Sequence, residues 1–148
     1  MDIKEATPTD QLAAHMEAPL LAIAEHDIDI VPLVFERFLA QHPEYRKDFY
    51  NLEAAAGRMV NETIEAMVGI AEGAYWVETT ITNFVELHRD YGVYSPELYS
   101  SFVDIVVDTL EGAAGEAWTA DVNAAWRAQA KQLCEMIEET TARTAALN

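Results

Sequence analysis

Apolar residues recur at helical spacing along almost the whole chain, and no stretch alternates for long as a half-buried strand must. That property restricts the fold to packed helices, and prolines and glycines mark where each one ends. Thr9 or Asp10 is expected to cap a first helix over 10–25, with Leu12, Met16, Leu20 and Ile23 on its buried side. Pro19 lies inside that span and is expected to kink the helix or split it in two. The segment EHDID breaks the pattern, and Asp29 can cap a second helix in which Pro32 falls within the tolerant first turn. This helix buries Val34, Phe35, Phe38 and Leu39. It stops before Pro43, because the residue preceding a proline resists helical geometry.

Pro43 opens a short turn, PEYRKDFY, and a third long helix is expected over about 53–71, with Val60, Ile64, Met67 and Val68 in register. Gly73 marks a corner. Residues 75–90 form a fourth helix closed by Gly92, and Pro96 opens another over 96–112 with Tyr99, Phe102, Val103, Val106 and Leu110 inward. After Gly112 and Gly115, Thr119 or Asp121 caps a last helix running to about 143, with Val122, Trp126, Ala130, Leu133 and Ile137 along its inner stripe. With no internal repeat or linker, residues 1–148 read as one all-α domain, long enough to bury a core without staples. Gly57 sits inside the third helix, where glycine costs roughly 1 kcal/mol against alanine. A close crossing with the helix around Phe35 is the expected reason.

Charge narrows the partners. The 26 acidic residues outnumber the 9 basic ones, a net of −17, and they are spread evenly through the chain. Such a surface repels nucleic acid and anionic lipid, both of which are bound by Lys and Arg displacing counterions. It suits solubility, a salt-rich habitat or a basic protein partner. No apolar run approaches membrane-spanning length, MDIKEATPTD lacks the pattern of a secretory signal, and Cys134 is the sole cysteine. A cytoplasmic location is the expectation.

The stretch FVELHRDYGV places His88 in the last turn of the fourth helix, four residues before a glycine. Taken alone, such a histidine is a satisfied core residue, a helix C-terminal charge partner or a metal ligand.

Several motifs in order carry a resemblance. EHDIDIVPLVFERFLAQHPEYRKDF, with a phenylalanine six residues after the proline of HPE, then ELHRDYGVYSPELY, then GEAWTADVNAAWRAQAKQL, are together similar to bacterial single-domain globins and to the haem domain of flavohaemoglobins. The likeness covers about residues 10–140. It implies a three-over-three globin fold of about seven helices, haem b as cofactor, and His88 as the iron ligand. In such a site the far ring nitrogen of His88 binds iron while the near N–H donates to a carbonyl one turn earlier, near Phe84. Phe49 takes the position that stacks on the haem. The rest of the implied lining is Phe35, Ala56, Val60, Phe84, Val93, Tyr99, Phe102, Leu133 and Ile137. Arg58 either reaches a haem propionate or is a solvated surface residue. His15, His26 and His42 are read as surface or loop residues.

The sequence also departs from the family. Phe35 and Ala56 stand where many globins place a distal hydrogen-bond donor, with Val60 beside them, and none of the three can donate. A different register across the 50–56 corner puts Met59 over the iron instead. Tyr50 and Asn61 are the nearest polar residues. On the proximal side, Tyr99 is shifted by one residue from the family's tyrosine. Thr140 or Thr141 stands in place of its glutamate, with Glu138 and Glu139 close by, and Ala130 replaces a tyrosine. No reductase domain is evident. The expected function is therefore reversible binding of a diatomic gas (O2, CO or NO) in an apolar pocket, for sensing, scavenging or storage. Alternatives are a nitric oxide dioxygenase or weak peroxidase served by an external reductase, and a haem-free globin-like interaction module. Trp118, Met136 and the alanine-rich faces over 96–143 either pack against a second copy in a homodimer or, for the most part, belong to the ordinary core, and the sequence leaves the oligomeric state open.

Overall fold

Side-chain caps set the starts of the first, second and last α-helices. A computed structural model of the protein describes residues 7–48, 52–90, 92 and 95–145. Helix α1 spans Pro8–Glu25, α2 Ile30–Gln41, α3 Leu52–Glu72, α4 Val77–Asp90, α5 Pro96–Ala114 and α6 Ala120–Ala145. Short 3-10 turns cover Pro43–Asp48 and Gly115–Ala117.

The cap of α1 is Thr7, earlier than the sequence suggested. Its hydroxyl accepts from the Asp10 amide at 3.1 Å, and the Asp10 carboxylate accepts from the Thr7 amide at 3.2 Å. This reciprocal pair satisfies two otherwise orphaned amides, and Pro8 at the first helical position has no N–H to lose. Pro19 does not split α1, which runs unbroken to Glu25; the proline ring is itself buried, so packing offsets the lost backbone bond. Asp29 caps α2 as expected, its carboxylate accepting from the Val31 amide at 3.1 Å. Thr119 caps α6 through the Val122 amide at 3.2 Å.

The six α-helices among the described residues form the three-over-three sandwich expected from the sequence. Helices α5 and α6 pack along one another, α2 crosses α5, and α1 lies against both α5 and α6. Helix α3 bridges α1, α2 and α6, while α4 packs on α6 and on the flank of α3. One continuous core results, with Val34, Val60, Val106, Trp126 and Leu133 wholly buried. Among the described residues, no helix is long and apolar enough to cross a membrane.

Gly57 is not the close crossing. A Cβ added there would meet nothing within 4 Å among the described residues. Gly69 is the crowded position: its Cβ would lie 2.8 Å from the ring of Trp76 and from Cγ2 of Val77. The cause is the corner at Gly73, whose φ of 67° turns the chain back on itself and presses the start of α4 onto the end of α3.

Candidate haem site between two helices

The last turn of α4 presents His88, half-buried, toward the interior. Its Nδ1 lies 2.8 Å from the carbonyl oxygen of Phe84. A carbonyl can only accept, so Nδ1 carries the hydrogen and Nε2 keeps its lone pair. This is the tautomer a metal-binding imidazole requires, and it follows from the spacing of one helical turn. The ring of Tyr99, on α5, meets the His88 ring nearly edge-on, with centroids 5.3 Å apart and planes at 72°. Between them the Phe84 carbonyl and the Tyr99 ring fix both the tilt and the rotation of the imidazole.

The Tyr99 hydroxyl is buried and makes no hydrogen bond among the described residues. Burial pushes its pKa up from 10.0 to about 12, with nearby Arg89 acting in the opposite direction. Neither Glu138 nor Glu139 backs it: both are exposed, and Thr140, buried between them and the core, turns its side chain inward. Arg89 instead reaches α6, donating to the hydroxyl of Thr144 at 2.6 Å and to the carbonyl of Thr141 at 3.4 Å. Sequence reasoning missed this bridge. Its only signal was a cation beside His88.

The opposite wall comes from α2 and α3. Phe35, Ala56 and Val60 are all buried, and none carries a donor. Phe35 packs on Phe102 of α5, their ring centroids 5.7 Å apart, and on Phe38 at 6.1 Å. Phe102, Leu133 and Ile137 are buried on α5 and α6, and Phe84, one turn before His88, is half-buried. Met59 is half-buried and Asn61 exposed. Phe49, Tyr50 and Val93 lie outside the described residues. Arg58 is exposed and pairs with Glu62 four residues on, at 3.0 Å.

The other histidines are elsewhere. His26 is exposed just beyond α1, and His15 is half-buried on α1. His42 is more engaged than a surface residue: it ends α2, packs on Phe38 with ring centroids 5.0 Å apart, and places Nε2 2.9 Å from the Ser101 hydroxyl on α5. Trp118 and Met136 are likewise partly buried against the core, and the Trp118 indole donates to Asn123 at 3.0 Å. A separate cleft of about 490 Å³ opens along α5, but four carboxylates line it, those of Glu97, Asp104, Asp108 and Glu138. An apolar macrocycle has no place among those charges.

The donor set decides what His88 can hold. A bare divalent ion needs several protein ligands, and among the described residues no group of three or more His, Cys, Asp or Glu side chains is arranged to hold one. A lone imidazole, with its Nδ1 engaged by the Phe84 carbonyl and its ring set against Tyr99, fits a haem iron, which needs only one protein ligand on that side. On α3, Ala56 is small, and a Cβ added at the half-exposed Gly57 would meet nothing within 4 Å among the described residues.

These features define an all-helical sandwich with His88 near the end of α4 and its Nδ1 engaged by the Phe84 carbonyl. A family model described as Globin matches residues 33–137, and the chain belongs to the globin family. That span runs from the first turn of α2 into α6 and includes the site residues from Phe35 to Ile137. No match was found among curated proteins or among solved structures.

Proposed function

We propose that this globin binds haem b through His88 and uses it to take up a diatomic gas reversibly in an apolar distal pocket. The observation that carries the reading is the fixed tautomer of His88, whose Nδ1 is engaged by the Phe84 carbonyl 2.8 Å away. Bound there, haem would supply the iron that takes up the gas, and His88 would hold that iron. The chain supplies the rest. Phe84 and Tyr99 orient the imidazole. Phe35, Val60, Phe102, Leu133 and Ile137, all buried, exclude water.

The pocket is silent toward polar ligands. A hydrogen bond to a buried polar ligand contributes roughly 1–3 kcal/mol, so the missing donor at Phe35, Ala56 and Val60 lowers oxygen affinity by about tenfold or more. Carbon monoxide and nitric oxide depend less on that bond. The same lack weighs against a dioxygenase or peroxidase, which need a polar group to steer the reacting ligand. A haem-free role is the weaker reading, because Ala56 and Gly57 are small where a filled slot calls for bulk.

Titration of hemin into the apoprotein tests the proposal. Wild type is expected to give a stoichiometric Soret band, and His88→Ala to lose it or bind far more weakly. An unchanged band in His88→Ala would overturn the assignment.

A further inference from the structure

The turn of α4 that carries His88 is the least anchored part of that helix. Val77, Ile81 and Val85 are buried along its first turns, but residues 86–90 contain no buried side chain, and Leu87 is 45% exposed. Helix ends with few buried contacts open first. A ligand imidazole placed on such a turn would inherit that motion unless something else held it.

Arg89 is placed to do so. Its guanidinium spans 55 residues of sequence to the Thr144 hydroxyl, 2.6 Å away, and touches the Thr141 carbonyl at 3.4 Å. Thr144 is buried, and its hydroxyl in turn donates to the Thr140 carbonyl at 2.9 Å, so the acceptor is locked from behind. A cation is also favoured near the carbonyl end of α6. The bond joins the residue next to His88 to the longest helix of the fold.

We propose that Arg89 is a positioning residue: its latch to Thr144 holds the last turn of α4 against α6 and so sets how firmly His88 grips the haem iron. This rests on the haem-binding reading above, but the mechanical part of it does not. Arg89 touches neither the gas nor the reacting atoms and acts only through the helix end it ties down.

The test compares wild type, Arg89→Met, Thr144→Val, the double variant and Arg89→Lys. Arg89→Met and Thr144→Val keep volume while removing the bond, which limits loss of folding; far-UV circular dichroism checks this. The first readout is amide hydrogen exchange in the apoprotein. The expected result is faster exchange confined to residues 86–90 in both single variants, with Arg89→Lys closer to wild type. The second is hemin release to an excess acceptor, expected to speed up by roughly three- to tenfold in each single variant, with the double variant no worse than the poorer single one. A lower iron–imidazole stretching frequency in the reduced variants would accompany it. Unchanged exchange at 86–90, or strictly additive effects in the double variant, would overturn the latch. If wild type took up no hemin, the functional reading would fail instead, and exchange in the apoprotein would still decide whether Arg89 holds the helix end.

Discussion

The two walls of the proposed haem slot are built on opposite principles. The distal wall, from α2 and α3, is volume: Phe35, Ala56 and Val60 are buried and offer no polar atom beyond the helix backbone. The proximal wall, from α4, α5 and α6, is bonds: His88 to Phe84, Arg89 to Thr144, and a tyrosine ring set against the imidazole. Burial has no direction, whereas a hydrogen bond loses most of its strength when it is misaligned. The wall that must hold a ligand at one angle uses bonds. The wall that must only keep water out uses packing. Changes on the proximal side should therefore alter haem retention, and changes on the distal side should alter which gas stays bound.

Removing the proximal ligand is the harshest way to break that contrast. Replacing a residue that merely orients a metal ligand costs 10–100-fold in affinity, so His88→Gly should weaken hemin binding by more than roughly a hundredfold, and added imidazole should restore the Soret band.

Next in size is a pair of glycines at opposite ends of α3. Gly69→Ala should destabilise the fold by about 1–3 kcal/mol in urea titration, because the new methyl must displace Trp76 and Val77. Gly57→Ala meets open space and should leave apoprotein stability unchanged or raise it by up to about 1 kcal/mol. Equal losses at both positions would remove the distinction between a packed end and an open one.

Giving the distal wall a donor should sharpen the comparison. Phe35→Tyr adds one hydroxyl to a buried ring, and oxygen release measured by stopped flow should slow by about tenfold while carbon monoxide release changes little. Equal effects on both gases would show that the ring blocks the path rather than bonding the ligand.

The smallest effect concerns alkaline pH. The Tyr99 phenol is pushed up from 10.0 to about 12, so the native state keeps a proton that the unfolded chain gives up. Its contribution is fully present below pH 10 and is lost as pH rises toward 12. Tyr99→Phe should flatten that part of the stability curve of the apoprotein, and at neutral pH it should cost little because the hydroxyl has no partner among the described residues.

How much of this was legible in the sequence follows the same division. Helix ends set by Asp29, Pro43, Gly73, Gly92 and Pro96 are local, and the residues that set them sit within a few positions of their effects. The bond from His88 to Phe84 is one helical turn, so it too was readable. The cap at Thr7 was missed because Thr9 and Asp10 offer the same chemistry, and the choice depends on the Thr7–Asp10 pairing. Pro19 reads as a breaker because sequence does not show that its ring is buried. Gly57 and Gly69 look alike in a helix; only the corner at Gly73 decides which faces a neighbour. Nothing in the sequence near Arg89 points to its partner, since Thr144 lies 55 residues away. Likewise nothing near His42 announces Ser101.

The central claim is an iron porphyrin held by His88 alone, with an apolar space on its other face. The most direct measurement is the absorption spectrum of the reduced, haem-loaded protein before and after addition of carbon monoxide. The expected result is a five-coordinate, high-spin spectrum that converts fully and rapidly to a carbon monoxide complex. A six-coordinate, low-spin spectrum before the gas is added, or a protein that stays colourless with hemin, would contradict it.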